Sequence, residues 1–187
     1  MKPNLKKLTV SAIFIALSTV LSELIPSISL PFGGSITLLS MVPVCLIGIM
    51  FGVKWGVVTG LAYGVIQLFF GMSNVTYAAG VAGIWGALAV LLFDYVIAYG
   101  VLGFTGVFKK AIKNQIVAAV LGVLLACVLR YLCHFITGVT IWREIADLWG
   151  AVWYSITYNG TYMIPEIITT PLAIFILMKT KAISKLY

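Results

Sequence analysis

The sequence predicts an all-α, polytopic membrane protein with six transmembrane helices. Three observations carry that prediction. Hydrophobic residues make up 62% of the 187 residues and charged residues only 9%, whereas soluble domains run near half apolar and a quarter charged. The mean hydropathy of +1.13 excludes a soluble globular domain, a disordered chain and a fibrous repeat. The apolar runs are continuous and of bilayer-crossing length, about 20 residues, rather than alternating as in a membrane β-barrel. Six such runs with short links fill a single membrane domain, residues 1–187. No stretch is left for a soluble domain, so transport driven by ATP would need a partner to supply the ATPase.

The spans are expected near residues 8–25, 36–52, 54–71, 83–104, 113–137 and 149–178. The first follows Lys2, Lys6 and Lys7. No small-residue cleavage site occurs before Glu23-Leu24-Ile25-Pro26, so it reads as a retained span, not a signal peptide. Spans 2 and 3 carry Gly48, Gly52, Gly56, Gly60 and Gly64 at four-residue spacing, which lets helices pack closely in lipid. The link Gly52-Val53-Lys54 predicts a tight hairpin between them. Residues 71–83, with Gly71, Ser73, Asn74, Gly80 and Gly83, read as an outer loop that can be partly re-entrant. With the N-terminus inside, the inner segments hold Lys2, Lys6, Lys7, Lys54, Lys109, Lys110, Lys113, Lys179, Lys181 and Lys185, and none of the five acids. The excess of positive charge on inner loops then places both termini in the cytoplasm. The basic residues are dispersed, so the net charge of +7 indicates membrane orientation and not nucleic acid.

Catalytic and metal signatures are missing from the sequence: no Walker A, HExxH or GxSxG pattern occurs, so an enzyme is not expected. Cys45, Cys127 and Cys133 lie in apolar runs without metal-ligand spacing and read as small buried hydrophobes. The sequons at Asn74 and Asn159 fall at or inside the membrane boundary and are taken as chance. Functional candidates are therefore the few polar residues inside spans, which are costly in lipid. These are Asp94 with Tyr95 in span 4, Arg130, Tyr131 and His134 in span 5, and Glu166 in span 6. Asp94, Arg130 and Glu166 have a structural alternative, mutual pairing that fixes the bundle. Arg130 and His134 are four apart and share a helix face. Tyr154, Tyr158 and Tyr162 form a second stripe, with Asn159 one step around, while Trp149 and Trp153 suit an interfacial belt. Aromatic faces beside a buried carboxylate suit a flat organic cation, through cation–π attraction of about 2 kcal/mol when desolvated and charge-assisted hydrogen bonds.

These residues resemble the thiamine-specific substrate-binding subunits (S-components) of energy-coupling factor transporters. The likeness covers nearly the whole chain. It is carried by Ala12-Ile-Phe-Ile-Ala16, by Gly56-Val-Val-Thr-Gly60-Leu-Ala-Tyr-Gly64-Val-Ile-Gln67, and by Asp94-Tyr95 with Gly103-Phe-Thr-Gly106. Span 5 contributes Arg130-Tyr-Leu-Cys-His134-Phe-Ile-Thr-Gly138, followed by Trp142, and span 6 contributes Tyr154 and Tyr158-Asn159-Gly-Thr-Tyr-Met-Ile-Pro165-Glu166.

The resemblance implies an S-component bundle that captures thiamine from outside with high affinity and performs no catalysis. It needs no cofactor; thiamine is the transported ligand. It implies that Trp142 and His134 stack on the thiamine rings and that Asp94 supplies the negative charge. Tyr95, Tyr154 and Asn159 would hydrogen-bond the pyrimidine end, and residues 26–35 would act as a lid. Ala12 and Ala16 would meet the transmembrane coupling protein, which works with two cytoplasmic ATPase subunits. Alternatives are an S-component for riboflavin or a thiamine pyrimidine moiety, and a solitary proton-coupled carrier. The carrier is weakened by the lack of an inverted repeat or proton relay.

Overall fold

The computed structural model describes residues 3–24, 28–29, 35–37, 39–141, 148–180 and 183. Helix α1 (Pro3–Thr19) is prolonged by a π-helical turn, Val20–Leu24. A two-residue antiparallel pairing follows, β1 (Ile28–Ser29) with β2 (Ser35–Ile36), in register Ile28 to Ile36. Helices α2 (Val42–Phe51), α3 (Val53–Phe70) and α4 (Met72–Val90) come next. The chain then runs through a π-helical segment, Leu91–Ile97, a short α5 (Ala98–Gly100) and a 3₁₀ stretch, Val101–Lys109. Helices α6 (Gln115–Thr140) and α7 (Leu148–Lys179) complete the bundle.

Five helical runs are long and apolar enough to cross a membrane: Asn4–Leu24, Val53–Phe70, Met72–Lys109, Gln115–Thr140 and Trp149–Lys179. The second expected span, 36–52, is shorter than its hydropathy suggests. Its helix, α2, has ten residues, about 15 Å of rise, half of a hydrocarbon core of about 30 Å. It need not span, because every residue from Val42 to Met50 is buried by protein. Pro43 sits in its first turn, where a missing N–H costs no helical bond. Gly52, with φ +86°, is the whole link to α3, so the expected hairpin closes through a conformation that disfavours any side chain.

Residues 71–83 are helical rather than an outer loop. The break is confined to Ala82 and Gly83, where the backbone leaves helical values. Before it, residues 72–81 fold back along the fourth span. The Asn74 amide reaches the Tyr95 hydroxyl at 2.9 Å, and Gly86 lies against the Ala78 carbonyl. Gly80, read as a loop residue, is accommodated inside the helix.

The glycine run faces more than its own hairpin. A Cβ built on Gly56 would lie 2.7 Å from the Gly48 Cα and 2.8 Å from the Gly103 carbonyl oxygen. One on Gly64 would lie 2.7 Å from the Tyr95 carbonyl oxygen, and Gly60 sits against the Tyr99 carbonyl. The stripe thus joins α3 chiefly to the fourth span, where backbone meets backbone.

Helix α1 is tied to α3 by small polar groups. Trp55 Nε1 donates to Ser11 Oγ at 2.9 Å, Tyr63 donates to the Ser18 carbonyl at 3.2 Å, and Gln67 Nε2 donates to Ser22 Oγ at 2.8 Å. On the other face of α1, Ala12 and Ala16 are exposed, beside the exposed Ile13 and Leu17.

Helix α6 begins at Asn114, whose side chain accepts from the Ile116 and Val117 amides, a helix cap that satisfies otherwise unpaired donors. The described lysines gather at this end of the bundle. Lys7 lies over the rings of Phe51 and Trp55, and Lys109 donates to the Ile49 carbonyl at 3.2 Å. Cys45, Cys127 and Cys133 are buried free thiols.

Backbone contact at Gly60 makes a direct prediction. Gly60→Ala should lose about 1–3 kcal/mol through overpacking, while Gly80→Ala, with nothing within 4 Å of the new methyl, should unfold as wild type. Thermal unfolding in detergent compares the two.

Candidate functional site

The site lies in the half of the bundle away from the lysines. Asp94 and Tyr95 enter it from the π-helical segment Leu91–Ile97. Such i→i+5 turns change which residues face inward and recur at functional sites. A cavity of about 230 Å³ opens there, lined by Asn74, Asp94, Tyr95, His134, Tyr154 and Asn159, among others. Of the six sequence-predicted ligand residues, five thus come together in one cavity. The sixth, Trp142, lies outside the described residues, as does most of the expected lid, 26–35.

Asp94 is the hub of the polar contacts. Its Oδ1 is 2.9 Å from His134 Nδ1 and accepts from Thr137 Oγ1 at 2.6 Å. Both side chains are 13% exposed. The Tyr95 hydroxyl donates to the Gly71 carbonyl at 3.0 Å and accepts from Asn74.

Asn159 joins α6 to α7. Its Nδ2 donates to the His134 carbonyl at 3.2 Å and to Ser155, while its Oδ1 accepts from the Tyr162 hydroxyl. An aromatic wall runs along α7. Tyr154 and Tyr158 stack at 5.5 Å, Tyr158 meets Tyr162 edge-on at 5.9 Å, and Tyr162 meets His134 at 6.1 Å.

A second cavity of about 400 Å³ adjoins the first and shares Tyr99, His134, Tyr158 and Tyr162 with it. Its far wall includes Glu23, Thr37, Gln67, Arg130 and Glu166. Glu23 and Thr37 flank the expected lid on either side. Arg130 lies over the Tyr99 ring, with Cζ 4.0 Å from the centroid, a cation–π geometry. Its Nε and Nη1 are buried without a hydrogen-bond partner. The structural pairing weighed for Arg130 with Asp94 or Glu166 is therefore not formed as an ion pair. Glu166 instead accepts from Thr37 and Thr170, both at 3.3 Å. Among the described residues, no three His, Cys, Asp or Glu side chains gather as a metal site.

A sequence model described as "Thiamine transporter protein (Thia_YuaJ)" matches residues 8–185. The chain belongs to the thiamine transporter protein (Thia_YuaJ) family. A curated relative, thiamine transporter ThiT of Bacillus subtilis (strain 168), is 31% identical over 95% of this chain and 94% of its own. The solved structure of ThiT from Listeria monocytogenes superposes with a TM-score of 0.71 at 28% identity, covering 96% of each chain. Membership in the Thia_YuaJ family makes this a membrane transport protein, and the all-α fold agrees with the solved relative across nearly the whole chain.

Several residues of this Thia_YuaJ site escaped the sequence analysis. Thr137 and Ser155 were unremarkable hydroxyls on apolar helices, and nothing in the local pattern marked them. Asn74 was visible only as an outer-loop residue and a chance sequon; its place beside Tyr95 depends on residues 72–81 folding back. Tyr99 was hidden because its partners, Tyr63 at 5.0 Å and Arg130 at 4.0 Å, come from distant spans.

The ties of Asn159 predict a stability role that needs no ligand. Asn159→Ala leaves the Tyr162 hydroxyl without its partner and should cost about 1–3 kcal/mol. Thermal unfolding of the ligand-free protein measures it, and an unchanged midpoint would show that these bonds contribute nothing.

Proposed function

We propose that this protein is the thiamine-capturing S-component of an energy-coupling factor transporter. It binds thiamine from the extracellular side with high affinity and delivers it when docked on the energising module. The observation that carries this is the gathering of Asp94, Tyr95, His134, Tyr154 and Asn159 around one cavity with an aromatic wall. The family name and its relatives supply the ligand, thiamine.

The chemistry of the cavity supports a flat cation. Asp94 places a negative charge in a partly enclosed wall, and the tyrosine faces of α7 supply quadrupoles for cation–π attraction. Tyr95 and Asn159 are engaged within the protein, but a hydroxyl and an amide oxygen each keep a lone pair for a ligand donor. Trp142 and His134 are proposed to stack on the thiamine rings. Residues 26–35, proposed as the lid, are bracketed in the sequence by Glu23 and Thr37, which line the second cavity.

In this scheme the lysine end is cytoplasmic and the cavity opens outward. The exposed Ala12 and Ala16 offer a flat strip on α1, on the side away from its ties to α3. That strip is proposed to receive the transmembrane coupling protein, whose two ATPase partners supply the energy. Small residues let a partner helix approach closely in lipid.

Two measurements check this reading. Titrating thiamine into the detergent-purified protein should quench tryptophan fluorescence saturably at submicromolar concentration, and Trp142→Ala should lose both signal and affinity. Saturation by riboflavin instead would move the assignment to another vitamin. Replacing Ala12 and Ala16 with Trp should leave thiamine binding intact but abolish uptake by the full complex. Undiminished uptake would remove α1 from the docking surface.

A further inference from the structure

We infer that Asp94 acts on the ligand through His134: it holds the imidazole with its proton on Nδ1, so that Nε2 is a bare acceptor for an N–H of the bound molecule. This rests on the thiamine reading above and names what the histidine does within it.

The geometry leads there in three steps. Asp94 Oδ1 receives two groups at once, Thr137 Oγ1 at 2.6 Å and His134 Nδ1 at 2.9 Å. Thr137 is 1% exposed, and its hydroxyl is the donor, since a carboxylate offers only lone pairs. With Asp94 as the carboxylate, Oδ1 has no proton to give to Nδ1. A bare Nδ1 would then set one lone pair against another, so Nδ1 carries the hydrogen. A neutral imidazole has one N–H and one acceptor nitrogen, which leaves Nε2 as the acceptor.

The second half concerns Nε2 itself. It is buried and has no hydrogen-bond partner, although His134 lines both cavities. An unsatisfied buried polar atom calls for an explanation, such as a group still to arrive. Its neighbour, the Tyr162 ring, meets the imidazole in a T-shaped contact at 6.1 Å.

The third step is electrostatic. A doubly protonated ring would set a cation against a cationic ligand and cancel the charge of Asp94. The neutral ring adds no positive charge beside the ligand: its face can stack on the thiazolium while Nε2, in the ring plane, accepts from the exocyclic amine of the aminopyrimidine. Asp94 is thus a positioning residue as well as a charge. The pair selects a ligand that is positive overall and has a donor edge.

The chain has a single histidine, so the test has an unusually clean signal. Protein labelled with [15N]histidine and purified in detergent gives one imidazole spin system. The ligand-free protein should show a protonated Nδ1 and a pyridine-type Nε2. Thiamine should move the Nε2 resonance in the direction of hydrogen-bond acceptance and leave Nδ1 protonated. Asp94→Asn, which can offer either an oxygen or an N–H to the ring, should populate both tautomers.

Affinity supplies the second arm. Asp94→Asn should weaken thiamine binding about tenfold, the scale of a hydrogen bond to a charged group. If Asp94 acts in part through His134, the same change made in His134→Phe should cost measurably less than in the wild-type background, because neighbours that work as a unit are not additive; the remainder is its direct charge. Protein that binds thiamine but carries its proton on Nε2, or whose Nε2 resonance does not move with ligand, overturns the inference. So does an undiminished Asp94→Asn effect in the His134→Phe background, which would show that the two residues act on the ligand independently. Folded wild-type protein that binds no thiamine overturns both this inference and the function on which it rests.

Discussion

The close approach of α3 to the fourth span is the constraint from which the site follows. Gly60 and Gly64 admit the carbonyls of Tyr99 and Tyr95 to distances that no side chain would allow. In lipid there is no hydrophobic force between helices, so association relies on such packing. With these two backbones in contact, Tyr99 crosses Tyr63 at 89° and supports Arg130. Tyr95 reaches back to Gly71, and its neighbour Asp94 faces α6. A wider separation of the helices would move all three side chains together.

Polar groups in this bundle are arranged as chains, not as isolated pairs. One chain runs from Ser22 through Gln67 to Tyr63 and Tyr99. Another runs from Thr137 through Asp94 to His134, and a third joins Ser155, Asn159 and Tyr162. A hydroxyl or amide left alone in hydrocarbon is costly, so each chain satisfies the interior while holding groups at the cavity wall. Among the described groups that stand outside this rule, Arg130 Nε and Nη1 and His134 Nε2 are buried and unpartnered, as are the Ser18 and Thr169 hydroxyls. Arg130 and His134 both lie on the second cavity, where a ligand would complete them.

Much of the site was legible because polar residues are scarce in this sequence. Asp94, His134 and Asn159 could be singled out on cost alone, and all three line the same cavity. The glycine run was equally visible, but its partner was not. Four-residue spacing identifies a face on α3 without saying which helix meets it, and the fourth span meets it more than α2 does. The second apolar segment was visible as a span, yet its helix has ten residues and is enclosed by protein. Hydropathy cannot distinguish burial in lipid from burial in protein, because both favour the same side chains.

The amino-acid order by itself determined the membrane class, the helical runs, the lysine-rich end and the identity of the costly polar residues. Each of these depends on transfer of side chains from water, a property of residues taken a few at a time. Only the tertiary structure decided which polar residues touch. That Asp94 meets His134 and Thr137, that residues 72–81 carry Asn74 back to Tyr95, and that Arg130 rests on Tyr99 instead of a carboxylate are facts about distances between helices. Those distances are set by backbone contacts such as Gly60 with Tyr99, far apart along the chain, and no local pattern encodes the pairing.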